Sequence, residues 1–233
     1  NPRTARLYTD LSYLTADEET TADMDHVFNH LASQNRLPRM RRLLVAPFQL
    51  HRRMLEKIEQ VGLAASRGEG GRIVAKMNAL TDEALARALV LAGQRGAKID
   101  LIVRGACILP AQVPGFTENI RVRSIIGRFL EHSRVFYFGH GAEEELFLSS
   151  ADWMNRNMLR RVEISWPVTD PLLRQRIIDE CLVACLHDDR DSWELLPDGA
   201  YGRAKKPTEG HGAQNALMAR YGVSAVGAGQ RLT

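Results

Sequence analysis

Residues 72–103 decide the fold class, and they read RIVAKMNALTDEALARALVLAGQRGAKIDLIV. The apolar runs 72–77 and 98–103 have the length and continuity of buried strands. Between them, residues 82–94 read as a helix, and Gly96 follows at a position where a helix end favours glycine. The stretch therefore predicts a strand, a helix and a second strand, which together form a β-α-β unit.

The same alternation extends on both sides of this unit. Strands are predicted at 43–45, 121–126, 134–138, 145–148 and 161–168, and helices at 20–33, 48–65 and 170–187. Pro47 ends the first strand, and the glycine-rich turn 68–71 follows the second helix. Such punctuation is typical of element boundaries. The order of elements predicts an α/β (α+β) fold in which a mixed sheet is flanked by helices.

Composition excludes several classes of protein. The 233 residues are 45% hydrophobic and 25% charged, which is typical of a globular chain. The formal net charge is only +3, so we do not expect the overall charge of the chain to bind nucleic acid. Three cysteines cannot form a disulfide framework and indicate a reducing compartment. With no signal pattern and no run of about 20 apolar residues, we expect a cytoplasmic protein.

The two ends of the chain differ from its middle. The sequence begins at Asn1 without an initiator methionine, and it looks like a piece of a longer protein. After Asp188 the apolar periodicity fades, and proline, glycine, alanine and lysine dominate from residue 197 onward. This composition predicts a flexible tail over 191–233.

Common phosphate and metal motifs do not occur in the sequence. It contains no G-x-x-x-x-G-K-[ST] and no G-x-G-x-x-G after a strand, so any nucleotide would be bound without a P-loop or a Rossmann fingerprint. It also contains no H-E-x-x-H and no C-x-x-C pair. His26 and His30 lie four residues apart on one helix, but the local sequence offers no further ligands. We therefore predict no metal site in this chain.

The stretch that carries chemistry is 129–138, FLEHSRVFYF. His132 precedes an apolar strand, and Arg134 follows two residues later, so both side chains point to one face of an extended chain. An imidazole can transfer a proton or act as a nucleophile near neutral pH, and a guanidinium can bind phosphate oxygens in a bidentate manner. A strand-end histidine without a catalytic role is the alternative for His132 taken alone.

Residues 148–157, LSSADWMNRN, continue this pattern with a polar turn and an arginine, Arg156. Together with H-x-R, they resemble the second half of a phospholipase D-like active site, in which an H-x-K motif and a G-S-x-N turn from each of two halves meet at one phosphate. Here Arg134 replaces the lysine and 149–152, SSAD, replaces the turn. These departures weaken a lipid-cleaving interpretation.

A closer resemblance covers nearly everything up to about residue 190. Residues 5–10 and 14–17 resemble the segment that ends the first catalytic domain of bacterial polyphosphate kinases. Matches to the second catalytic domain of that family follow in the right order at 76–82, 101–105, 128–135 and 148–157. The string at 149–157 is the most specific of them.

The resemblance implies a fold, a reaction and a division of the chain. Members of the family reversibly transfer the terminal phosphate of ATP to inorganic polyphosphate through a phosphohistidine and with Mg²⁺. They contain two phospholipase D-like catalytic domains, form oligomers, and are cytoplasmic or associated peripherally with the membrane. By this resemblance, 1–37 is the end of the preceding catalytic domain with a linking helix, and 38–190 is the C-terminal catalytic domain.

The resemblance also assigns residues. Tyr8, Arg104 and His132 match positions that contact ATP in the family, and His132 is also a candidate catalytic acid or base. We add Lys76, Arg134 and Arg156 as phosphate-binding donors, because they lie in the matching motifs and carry positive charge.

The chemistry of the matching residues agrees with these roles. Tyr8 offers a flat face to a nucleobase, and Arg104 ends an apolar strand, where α/β sheets place ligands. Taken alone, Tyr8 would be a packing aromatic, Arg104 a surface residue at a strand end and Lys76 a solvated strand residue.

The phosphorylated histidine and the arginines associated with Mg²⁺ in the family lie ahead of the segment that resembles Asn1. We therefore expect ATP or ADP and polyphosphate as ligands, no nucleic acid, and a chain that is incomplete for catalysis by itself.

Two alternative functions remain open at this point. One is a phosphodiesterase or nuclease half-site that dimerises, and the other is a non-catalytic module that binds a polyanion.

Overall fold

The strand, helix and strand predicted from residues 72–103 are all present in a computed structural model that describes residues 1–203 and 212–222. In chain order the helices are α1 (Pro2–Ala5), α2 (Glu18–Ser33), α3 (Leu50–Ser66), α4 (Glu83–Gln94), α5 (Asn155–Leu159), α6 (Pro171–Ile177), α7 (Ala184–Leu186) and α8 (Ala213–Tyr221). A π-helical segment, Ile178–Val183, joins α6 to α7. The strands are β1 (Tyr8–Thr9), β2 (Leu44–Ala46), β3 (Arg72–Met77), β4 (Lys98–Val103), β5 (Ile120–Ile125), β6 (Leu130–Glu131), β7 (Arg134–His140), β8 (Glu143–Ser149), β9 (Glu163–Pro167), β10 (Ser192–Leu195) and β11 (Tyr201–Arg203).

Nine of these strands form one mixed sheet in the order β11-β10-β5-β4-β3-β7-β8-β9-β2. Three adjacent strands, β3, β4 and β5, are parallel to one another, and all other neighbours in this sheet are antiparallel. The prediction of a mixed sheet flanked by helices is therefore confirmed. Because β7 is antiparallel to β3, and β8 is antiparallel to β7, the carboxyl ends of β3, β4 and β8 and the amino end of β7 lie side by side. We call this row of strand ends the polar edge of the sheet.

Each face of the sheet is covered by its own set of helices. Ile73, Ala75 and Met77 of β3 point toward α3 and α4 and join the larger core cluster. The intervening Val74 points to the opposite face, where it packs with the π-helical segment and α7. This alternation places Lys76, two residues after Val74, on the same face as the closing helix.

The predicted flexible tail is wrong for the described part of residues 191–233. Strand β10 pairs with the edge of β5 and with β11, and α8 follows after residues 204–211, which lie outside the described residues. The edge of β5 supplied unpaired backbone groups for β10, a tertiary requirement that local composition does not reveal. Residues 223–233 also lie outside the described residues.

The first segment of the chain is attached to the sheet domain by a second, two-stranded sheet. Strand β1 pairs in parallel with β6, which places Tyr8 opposite Leu130 and Thr9 opposite Glu131. This pairing holds Tyr8 next to the polar edge described below. None of the helices within residues 1–203 and 212–222 has the length and apolar character needed to cross a lipid bilayer.

A second attachment of this segment is the carboxylate of Asp23 on α2, which is only 2% exposed. It accepts hydrogen bonds from three successive backbone N–H groups, those of Arg41, Arg42 and Leu43, at 2.7–3.1 Å. These donors lead directly into β2, the edge strand of the large sheet. The carboxylate therefore fixes α2 against the sheet domain.

We predict that Asp23→Ala lowers the free energy of unfolding by about 3 kcal/mol, because it leaves buried backbone donors without their charged acceptor. Asp25→Ala on the exposed side of the same helix is the control and should change it by less than about 0.5 kcal/mol. Urea denaturation of both variants measures the difference. Equal effects of the two substitutions would contradict the role given to Asp23.

Candidate functional site

The polar edge of the sheet is organised around the buried carboxylate of Asp152, which follows the turn after β8. Its Oδ1 accepts hydrogen bonds from the backbone N and the side-chain Nδ2 of Asn78, at 2.7 and 3.1 Å. Arg134 donates to the same carboxylate through Nε (3.2 Å) and Nη2 (3.1 Å). The side chain of Asp152 is thereby joined to the end of β3 and the beginning of β7. A bidentate arginine–carboxylate pair of this kind fixes the orientation of both groups.

Arg104 is connected to this centre through Asn78. Its Nε donates a 3.0 Å hydrogen bond to Asn78 Oδ1, the amide oxygen left over once Nδ2 has turned to Asp152. Within the described parts of the chain, no side chain bonds to the terminal nitrogens of Arg104. The half-buried guanidinium therefore keeps donors available for an anion at the carboxyl end of β4.

His132 is held from three sides at the same edge. Its Nδ1 lies 2.7 Å from Asp10 Oδ2, and the ring of Tyr8 packs edge-on against it with centroids 4.9 Å apart. Arg134 Nη1 lies 3.1 Å from Nε2 and 2.9 Å from the His132 carbonyl oxygen. Because a carboxylate only accepts and a guanidinium only donates, these contacts assign a proton to Nδ1 and the acceptor role to Nε2.

Lys76, predicted as a phosphate-binding donor, is engaged in a buried ion pair instead. It is 4% exposed, and its Nζ lies 2.5 Å from Oε2 of Glu131, which is 8% exposed. Burial alone would lower the pKa of Lys76, but the electrostatic effects of the neighbouring Cys185 and Glu131 together outweigh it, and the pKa lies above its ordinary value. Burial would likewise raise the pKa of Glu131, yet the Lys76 charge and hydrogen bonds hold it below its ordinary value. Both groups are therefore charged at neutral pH.

The remaining predicted site residues behave differently from one another. Tyr8, Arg104, His132 and Arg134 come together at the edge, although Arg134 is largely occupied by Asp152. Arg156 is exposed on α5, and in residues 1–203 and 212–222 no hydrogen bond or ion pair links its side chain to that group. Its assignment stays a prediction.

Sequence reasoning missed several side chains that organise this edge. The structure adds five of them, namely Asp10, Asn78, Glu131, Asp152 and Gln214. Asn78 and Glu131 stood in quoted motifs but had no assigned role, because their partners lie far away in the sequence. Gln214 lay in the predicted tail, so no local signal could have found it.

A magnesium ion finds no ready set of ligands here. Throughout residues 1–203 and 212–222, no three His, Cys, Asp or Glu side chains gather as they would around a metal ion. The carboxylates at the edge are each engaged by a protein cation or a histidine. We therefore derive no step through a metal held by this part of the chain.

The fold and the edge define an α/β domain that presents arginine and histidine side chains at the carboxyl ends of parallel strands, where such sheets bind ligands. Comparisons with known proteins give the family. Residues 43–215 match the family model "Polyphosphate kinase C-terminal domain 2", and residues 1–37 match "Polyphosphate kinase C-terminal domain 1". The chain belongs to the polyphosphate kinase family.

Individual relatives agree with the family models. The chain is 46% identical to the polyphosphate kinase of Burkholderia cenocepacia and 45% identical to that of Paraburkholderia phytofirmans, in each case over 95% of this chain and 32% of the relative. The crystal structure of polyphosphate kinase from Porphyromonas gingivalis superposes with a TM-score of 0.82 at 35% identity, over 88% of this chain and 32% of that one. The chain thus spans about a third of the length of these relatives.

We predict that Asp152 and Arg134 are strongly coupled. Asp152→Ala and Arg134→Met should each cost about 3–5 kcal/mol of unfolding free energy, because each leaves a buried charge without its partner. The double variant should cost less than the sum of the two, with a coupling of about 1–3 kcal/mol in a double-mutant cycle. The exposed pair Arg53–Glu56 on α3 is the control and should show almost no coupling. Simple additivity at Asp152 and Arg134 would contradict the arrangement.

We also predict a pH dependence for Glu131. A carboxyl whose pKa is lower in the folded chain stabilises the fold above its ordinary value of 4.5, and this stabilisation is lost as the pH falls through the lower, folded value. Glu131→Gln should therefore destabilise the chain at neutral pH, and its difference from wild type should shrink below pH 4.5.

Urea denaturation across an acidic to neutral pH series measures this difference. The exposed Glu59→Gln on α3 is the control and should follow the wild-type curve throughout. A Glu131→Gln deficit that stays constant into acid would show that the Glu131 charge does not stabilise the fold.

Proposed function

We propose that this chain forms the ATP-contacting part of a polyphosphate kinase, which reversibly transfers the terminal phosphate of ATP to inorganic polyphosphate. The observation that carries the proposal is the convergence of Tyr8, Arg104 and His132 at one edge of the sheet in a chain of this family. ATP or ADP and polyphosphate are the proposed ligands.

Each of the three side chains has a task that suits its surroundings. The terminal donors of Arg104, to which no side chain in the described part of the sequence bonds, bind phosphate oxygens, and their positive charge offsets the charge that develops on the transferred group. His132, oriented by Asp10, accepts or donates a proton at Nε2 once Arg134 yields that position to the substrate. Tyr8 supplies an aromatic surface beside them.

Arg134 is proposed to act mainly by orienting its neighbours. Its guanidinium is shared between Asp152 and the ring and carbonyl of His132, so its charge lies within reach of a bound phosphate, and its two hydrogen bonds to Asp152 hold it there when the substrate replaces the contact with the His132 ring. Such preorganised charge stabilises a phosphoryl group without rearrangement during the reaction.

The remaining parts of the reaction are assigned outside this chain. We propose that the phosphorylated histidine and the Mg²⁺ ligands belong to the rest of the kinase, and that the isolated chain binds substrate without forming the phosphoenzyme. A homo-oligomer, a cytoplasmic location and peripheral membrane association are proposals of the same kind, and they rest on the family alone.

Isothermal titration of the chain with ATP and with tripolyphosphate tests the proposal. Arg104→Ala should weaken ATP binding about ten- to a hundredfold, the equivalent of one charge-assisted contact. Lys98→Ala, which removes a cation at the other end of the same strand β4, is the matched control and should leave binding unchanged. Equal losses in the two variants would indicate nonspecific attraction and contradict the proposed site.

Two further outcomes would favour the alternative functions. Cleavage of a generic phosphodiester by the chain alone would indicate a phosphodiesterase or nuclease half-site. Binding of polyphosphate that is unaffected by both Arg104→Ala and His132→Ala would indicate a non-catalytic module that binds polyanions through its other arginines.

A further inference from the structure

We propose that Gln214 on α8 is a positioning residue that fixes strand β6 and, through it, the imidazole of His132 and the pairing with Tyr8. Its importance for phosphate transfer rests on the proposed function, whereas its effect on the geometry of His132 can be tested without it.

Gln214 binds the backbone of Phe129, the residue before β6, in the way that a neighbouring strand would. Its side chain is 3% exposed. Nε2 donates to the carbonyl oxygen of Phe129 at 3.0 Å, and Oε1 accepts from the Phe129 N–H at 2.9 Å. One amide thus satisfies both backbone groups of a single residue. In the described chain β6 has a strand neighbour on one side only, β1, so Gln214 occupies the place of the second.

The same amide reaches the buried ion pair. Gln214 Nε2 also donates to Oε1 of Glu131 at 2.7 Å, while Oε2 of that carboxylate binds Lys76. Both carboxylate oxygens are therefore held, one by an amide from α8 and the other by an ammonium group from β3. This arrangement explains why Lys76 is buried: it anchors β6 to the large sheet.

The fixed strand leads directly to the proposed ATP contacts. Leu130 N donates to the Leu7 carbonyl oxygen at 2.7 Å, and His132 N donates to the Thr9 carbonyl oxygen at 3.2 Å. These bonds join β6 to β1, where Tyr8 lies edge-on to His132. A displacement of Phe129 or Glu131 would therefore move the histidine relative to its aromatic and acidic neighbours.

Gly127 supplies an independent sign that this contact is close. A Cβ at Gly127 would lie 2.6 Å from Gln214 Oε1, a distance that real side chains do not adopt. The backbone of Gly127 is not in the left-handed region, so a side chain at this position would not strain the dihedral angles but would push the Gln214 amide away from its place. The start of α8 is anchored as well, because Ala213 N donates to Asp188 Oδ2 at 2.7 Å.

The test uses the 233-residue chain with labelled histidine rings and backbone amides, studied by NMR. Gln214→Met keeps the length of the side chain and removes all of its amide hydrogen bonds. We expect the ring signal of His132 to shift or broaden, and the amides of Phe129, Leu130 and His132 to exchange about tenfold faster. The ring signals of His51, bound to Asp82, and of His140 are internal references and should not move.

Two additional variants separate positioning from packing. Gly127→Ala retains the amide but displaces it, so it should reproduce the change at His132, and it carries the test if Gln214→Met does not fold. Arg220→Gln removes an ion pair with Glu180 at the other end of α8 and should leave the His132 signal in place. A folded Gln214→Met chain with wild-type His132 signals and wild-type exchange rates would overturn the proposal.

An ATP titration of the same samples distinguishes this proposal from the proposed function. If wild type binds ATP, Gln214→Met should bind it about fivefold or more weakly, a loss close to one neutral hydrogen bond. Unchanged affinity together with a displaced His132 would overturn the functional part of the proposal. If wild type does not bind ATP, the proposed function fails, and the NMR result alone decides whether Gln214 positions His132.

Discussion

The carboxylate of Asp152 is the interaction on which the polar edge depends. It lies after β8 and binds both the end of β3, through Asn78, and the beginning of β7, through Arg134. At 5% exposure it would be costly without partners, so its four hydrogen bonds fix three chain segments relative to one another. Arg104 takes its orientation from Asn78, and His132 rests against Arg134. The positions of the two proposed ATP contacts, Arg104 and His132, thus both depend on the buried carboxylate of Asp152.

A buried ion pair between Lys76 and Glu131 stabilises the other half of the polar edge. It links the large sheet to the short pairing of β1 with β6, and Gln214 completes the coordination of the carboxylate. The chain therefore divides its cations by burial. Lys76 and the Asp152-bound side of Arg134 stabilise the scaffold, whereas no side chain of residues 1–203 or 212–222 bonds to the terminal nitrogens of Arg104. This division explains how a chain of net charge +3 can present a local cationic site.

Local pattern was sufficient to predict seven of the nine strands of the large sheet, but not β10 and β11. The apolar runs of β3 and β4, and the spacing of His132 and Arg134, follow from strand geometry, and each was predicted from the sequence. The partners of those side chains were not, because Glu131 lies 55 residues from Lys76 and Gln214 lies 83 residues from Glu131. A polar contact between distant segments leaves no periodic pattern, and the alanine- and glycine-rich surroundings of α8 suggested a tail.

The central claim is that the edge formed by Arg104 and His132 receives the triphosphate of ATP. A crystal structure of the chain with a non-hydrolysable ATP analogue tests it most directly. The account predicts phosphate oxygens within hydrogen-bond distance of the Arg104 terminal nitrogens, with the His132 ring facing the same phosphate chain. An analogue bound instead at the opposite edge, near Lys98 and Arg121, would contradict it.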